Sequence, residues 1–189
     1  MELKDMTFKQ TNGFAMQYAV VLGGWRLLGI GCWIGSFACS VLAPISLLMI
    51  LGSFGVAWAL ACRFRTKVVT PTGGFSFLDG FRFIFLLGIY SALWVALGVF
   101  VYMAYFDGGY VIDAYEAMLT SPEMYVALKS NGTWETIQEF GGVEHLMNTL
   151  RAIRPGDFSL LFLYTSLITS PFIALSIALI CRKSPKKIN

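Results

Sequence analysis

One histidine, four cysteines, a cluster of hydroxyls and one arginine set in an apolar run are the residues of this chain that could do chemistry. His145 lies in an acidic stretch with no second imidazole or cysteine nearby in the sequence, so a zinc site has no donor set there. It also lies outside every apolar run, which removes a histidine-assisted hydrolysis inside a membrane. Cys32 and Cys39 are seven apart rather than in the Cys-x-x-Cys spacing of a redox pair. Gly31, Gly35, Cys39 and Ala43 recur every fourth residue and read as a small-residue packing seam. Cys62 and Cys181 each end an apolar run. Thr165, Ser166, Thr169 and Ser170 precede Pro171, whose ring clashes with the carbonyl of Leu167 and whose missing N–H leaves that carbonyl free. The hydroxyls are expected to take up freed backbone groups across a kink, with a ligand or ion path as their other use. Arg26 reads as a cation snorkelling to the cytoplasmic headgroups, or as a contact to an anionic lipid headgroup. No catalytic residue, metal ligand or cofactor site follows from this inventory, and the chain is read as a non-enzyme without a cofactor.

The elements that hold these residues are set by composition. The chain is 57% hydrophobic and 13% charged, against roughly a quarter charged in soluble domains. Residues 83–106 carry no charge; as a helix they would be about 36 Å long, enough for a hydrocarbon core of about 30 Å. The same reasoning predicts spans near 19–40, 45–62, 80–106 and 158–181, the first two joined by a tight turn over residues 40–44 because proline favours a helix break and then a first turn. Ser76 and Asp79 have capping-box spacing at the start of the third span. Residues 107–156 form a polar insert, predicted as two or three short helices from the starts at Ser121-Pro122-Glu123 and Asn131-Gly132-Thr133 and the break at Gly141-Gly142. The fold class is all-α: an integral membrane four-helix protein in one membrane domain, with a small acidic helical extracytoplasmic insert between the third and fourth spans.

Charge sorting orients it. Residues 107–157 carry eight acids and three bases, whereas Arg63, Arg65, Lys67, Arg82 and the tail bases from Arg182 onward sit beside span ends. Bases at span ends stay in the cytoplasm, so both termini are expected inside and the insert outside. The polar first dozen residues lack the apolar core and cleavage site of a secretory signal, and the N-terminus is expected to be retained. A net charge of +3 is too small to indicate nucleic acid as a partner.

Around the start of the third span, Arg63, Arg65, Lys67 and Arg82 surround Phe75, Phe77, Leu78, Phe81 and Phe83. With Arg26, the four bases and Phe75, Phe77 and Phe81 are the candidate contacts to a partner protein or to membrane lipid. Arg63-x-Arg65, the run Gly73-Gly74-Phe75-Ser76-Phe77 followed by Gly80-Phe81, the span end Ala104-Tyr105-Phe106, the acidic insert and the basic tail together resemble the bacterial family of domain of unknown function 4199. That resemblance implies a four-helix inner-membrane protein and an accessory role beside a membrane-associated glycosyltransferase that works on polyprenyl-phosphate sugars. Two function classes are therefore carried forward. One is a non-enzymatic accessory or scaffold subunit for a partner enzyme; the other is a small, oligomeric carrier or lipid-handling protein that uses Arg26 and the hydroxyls of the last span.

Overall fold

The computed structural model describes residues 8–67 and 75–182. In chain order the helices are α1 (Phe8–Gly35), α2 (Leu42–Lys67), α3 (Phe77–Tyr105), α4 (Tyr110–Leu119), α5 (Pro122–Ser130), α6 (Thr133–Glu139), α7 (Gly142–Ala152) and α8 (Pro155–Cys181). Four of them, α1, α2, α3 and α8, are long and apolar enough to cross a membrane. They are apolar on every side, as helices that face lipid must be: Leu47, Leu48 and Leu51 on α2 stand exposed on the outside of the bundle. The all-α four-helix membrane fold expected from the sequence is the observed one.

The helix bounds differ from expectation where packing rather than hydropathy decides them. α1 is already helical at Phe8, well before the expected start near residue 19, because its early turns are core: Ala15, Ala19 and Leu22 are buried and Phe14 packs on Phe64 with ring centroids 5.8 Å apart. The turn to α2 comes earlier than residues 40–44. α1 ends at Gly35, the N–H of Cys39 donates to the Gly35 carbonyl at 2.9 Å, and Pro44 lies inside the first turn of α2, where a missing donor costs nothing. α3 starts at Phe77 behind an N-cap Ser76 whose Oγ accepts from the N–H of Asp79 at 3.1 Å. α8 starts at Pro155 rather than after it, and runs through Pro171 to Cys181. Residues 70–74 and the tail bases beyond Arg182, both read from the sequence, lie outside the described residues.

α3 is the central element, packed on α1 on one side and on α8 on the other, while α2 packs on α1. α1 and α3 run parallel: Tyr18 meets Phe83, Arg26 meets Ser91, and the Cα of Gly98 sits against Leu27. The expected seam at residues 31, 35, 39 and 43 is not the one used, since Cys39 is exposed and a Cβ at Gly31 would meet open space. The close approaches are elsewhere. A Cβ at Gly23 would come within 2.7 Å of Trp94 Cβ, and one at Gly88 would overlap the Ser170 side chain, so glycine is required at both for α3 to lie against its neighbours.

The bundle is packed at one end and open at the other. The buried apolar cluster joins Ala15, Ala61, Phe64, Phe83, Ile177 and Cys181, all in the half nearest the basic span ends. Phe64 is its hub, stacked on Phe83 with centroids 4.0 Å apart and edge-on to Phe75 at 6.2 Å. α2 and α8 touch in this half, through Cys62 and Cys181 and through Arg65, whose Nη1 donates to the Cys181 carbonyl at 2.9 Å.

The insert holds four short helices, one more than the upper expectation, because α4 has no N-cap side chain and its start is easily missed. Asp107 supplies that start: its carboxylate accepts from the N–H groups of Gly109 at 3.1 Å and Val111 at 3.2 Å. The insert packs largely on itself rather than on the span ends, α4 against α5 and α7, and α6 against α5 and α7, around Leu119 and Met147. Arg151 ties α7 to α4 by ion pairs to Asp113 at 2.8 Å and Glu116 at 2.6 Å. Hydrogen bonds to Asp113 and then Glu116 raise its pKa above the ordinary arginine value.

Candidate functional site

Arg26 does not snorkel. α1 starts far enough back that Arg26 lies deep in the span, and helical side chains lean toward the N-terminal end of their own helix. Nη1 donates to Ser91 Oγ at 3.0 Å, and Ser91 in turn donates to the carbonyl of Gly88 at 3.0 Å. Ser91 is midway along α3, at about 21 Å from either end of that helix. An arginine side chain cannot reach a headgroup from that level. Among the described residues no acid lies within ion-pair distance of Arg26, and Ser91 is the one protein group that accepts from it. A guanidinium has five N–H donors, so most of them are left without a protein acceptor at a depth where a charge costs about 2.5–3.5 kcal/mol even on the mildest scale.

Arg26 lines a cavity of about 420 Å³ between α2 and α8, beyond the contact that those helices make at Cys62, Arg65 and Cys181. Ser53 borders it from α2, and Thr165, Ser166 and Thr169 from α8. These α8 hydroxyls were read as repair chemistry around Pro171. Thr169 does bond within its helix, to the carbonyl of Thr165 at 2.9 Å, but no hydroxyl bonds the carbonyl of Leu167 among the described residues. The carbonyls of Thr165 and Ser166 accept from Thr169 Oγ1, but their own hydroxyls make no hydrogen bond to protein among the described residues and are free to donate into the cavity. The site is thus one cation with spare donors, ringed by hydroxyls, in a cleft with a lateral mouth. That chemistry binds an anion or a polar headgroup; it holds no general base and no nucleophile beside one.

The remaining residues singled out in the sequence divide into surface and core. Arg63, Lys67 and Arg82 are exposed, and Arg65 caps the end of α8. Phe75 is 1% exposed and packs on Phe64 inside the protein, so it is not available to a partner. Phe77 and Phe81 are half-buried and form a ladder with Phe85, with centroids 6.2 and 5.8 Å apart, next to an exposed Leu78. Arg26 stands apart from all of these, across the packed half of the bundle.

Two features were missed in the sequence. Phe64, between two arginines at a span end, was not singled out, yet it is fully buried; nothing local distinguishes it from its exposed neighbours. Cys62 and Cys181 were read separately, yet their sulfurs lie 3.8 Å apart. Their shared position at the last residues of two spans that end on the same side was the available signal. His145 is exposed on α7.

No curated protein and no solved structure matches the chain. A family model described as "Protein of unknown function (DUF4199)" matches residues 11–183, which takes in all four spans and the insert. The motifs read from the sequence, the spans they delimit and this match agree, and the chain belongs to the DUF4199 family of membrane-spanning proteins.

Proposed function

We propose that this is a non-enzymatic membrane protein that holds an anionic amphiphile of the bilayer inside its helix bundle. The observation that carries the reading is Arg26, a mid-span cation with one serine as its protein acceptor, turned into a cleft that opens between α2 and α8. An isolated charge at mid-span is retained in a membrane where it has a functional counter-ion, and the bilayer is the nearest source of anions with apolar tails. In this reading the protein lies in the bacterial inner membrane with the basic span ends in the cytoplasm and the acidic insert outside, in keeping with the sorting of bases and acids along the chain. Binding to the folded state stabilises it by linkage, by about 2.7 kcal/mol at a ligand concentration of 100 times Kd, and so raises the unfolding temperature. The test is the melting temperature of the purified protein in a neutral detergent. Hexadecyl phosphate should raise it and hexadecanol should not, and Arg26→Gln should abolish the rise; equal rises in both proteins would refute the reading.

A second reading is favoured by one observation. The Phe77, Phe81 and Phe85 ladder stands beside exposed Leu78 and Arg82, an apolar and basic patch suited to a partner enzyme. In that reading the protein is an accessory subunit, with a membrane-associated polyprenyl-phosphate glycosyltransferase as the partner class. The two readings use opposite faces of the packed half and are compatible.

A further inference from the structure

Where the rest of a bound amphiphile lies is set by a second cavity. Ile30 and Phe162 line both the Arg26 cleft and an adjoining hollow of about 500 Å³, which continues toward the insert between Gly98, Tyr102 and Phe158. The wall of this hollow is almost wholly apolar, Tyr102 and Trp33 being its lining residues with a polar side-chain atom. In the other direction there is no room, because Leu60, Phe64, Phe83 and Ile177 are buried against one another. Val95 borders the polar cleft and Met103 the apolar hollow, so the two cover about 12 Å along α3. Within the bundle, a ligand whose charged end meets Arg26 therefore has one course for its chain.

Resting on the reading above, we propose that the ligand is a single-chain amphiphile ending in a carboxylate or phosphate monoester. Its anionic group sits at Arg26 and its chain lies in the apolar hollow, pointing toward the insert. The end group follows from the donors. A planar guanidinium presents parallel N–H groups that fit two oxygens of one anion, and the free hydroxyls of Thr165 and Ser166 add to them. A diester headgroup would bring a further polar substituent into a cleft whose remaining wall is apolar apart from Ser53 and Thr169, both of whose hydroxyls already donate within their own helices. The single chain matches the size of the hollow, whose volume of about 500 Å³ lies in the lower half of the range of small-molecule sites, about 300–1,000 Å³.

The experiment uses the full chain in a neutral detergent with a palmitate probe that carries a diazirine at its chain end. After irradiation, mass spectrometry should place the label on residues 98–103 or 158–162. Palmitate and hexadecyl phosphate should compete at least about tenfold better than hexadecanol, dipalmitoyl phosphatidylglycerol or inorganic phosphate, a difference of about 1.4 kcal/mol. Gly31→Leu gives a second check that does not disturb Arg26. Gly31 borders the hollow and has open space where a Cβ would stand, so leucine there should lower palmitate labelling about tenfold or more while octanoate still raises the melting temperature. Label on residues 57–64, or on lipid-facing Leu47 and Leu48, would overturn the chain direction. Equal competition by phosphatidylglycerol would overturn the single chain, and equal competition by inorganic phosphate would make the site one for the free anion. Each of these leaves Arg26-dependent binding standing. Undiminished labelling of Arg26→Gln would instead overturn the reading on which the proposal rests.

Discussion

The sulfur of Cys62 on α2 lies 3.8 Å from that of Cys181 at the end of α8, where these two helices touch. This contact is the hinge end of the cleft: the helices are held together by it and by Arg65 at the basic side, and separate above it around Arg26. In a protein with Cys32 and Cys39 changed to serine, oxidation by copper phenanthroline should link residues 62 and 181 within one chain, seen as a faster-migrating band that reducing agent removes. A link between chains in place of that band would mean that α2 and α8 do not meet as described.

The two aromatic groups at the basic end should respond differently to truncation. Phe64 touches Phe14, Phe75 and Phe83, and Phe64→Ala should cost about 3 kcal/mol, at the low end for a core phenylalanine, because the alternative solvent is lipid rather than water. Phe77→Ala with Phe81→Ala removes a half-buried ladder, and should cost much less while removing any co-purifying partner. Denaturation in mixed micelles and affinity isolation from native membranes measure the two effects. Equal losses of stability would place both groups in the core and end the accessory-subunit reading of this patch.

Sidedness is tested by single cysteines placed at Lys129 in α5 and Lys67 at the end of α2, in a chain lacking the four native thiols. An impermeant maleimide applied to whole cells should label position 129 and not position 67. Labelling of both, or of position 67 alone, would contradict the orientation drawn from the charges.

How much of this could be read from the sequence depended on which physical effect set each feature. The existence of four spans, the Ser76 cap and the Ser121-Pro122 helix start are consequences of local hydropathy and capping, and the two helix starts are found where local rules put them. The start of α1 is not local. Polar Asn12 and Gln17 argue against a span by hydropathy alone, but Asn12 accepts from the hydroxyl of Tyr90 at 2.6 Å, and the flanking alanines pack on α3. That error moved Arg26 to the wrong depth. Its company with Thr165, Ser166 and Thr169 was also out of reach, since it depends on α1 and α8 both lying against α3 while α2 stands off. The hydroxyls and the arginine were each identified; only their convergence was not. The small-residue stripe failed for a plainer reason: a four-residue repeat has meaning only inside a helix, and α1 ends at Gly35, the second position of the repeat.

The proposed function stands or falls with Arg26 as an anion site at mid-span. Native mass spectrometry of the protein released from its own membranes in neutral detergent tests it most directly, since adduct masses report both the occupancy and the class of what is bound. Wild-type protein should carry an anionic amphiphile adduct that falls about tenfold or more in Arg26→Gln, a loss of about 1.4 kcal/mol or more, and that persists in Arg82→Gln, which removes an exposed base near the span end. The same adduct at the same occupancy in wild-type and Arg26→Gln protein would contradict the claim.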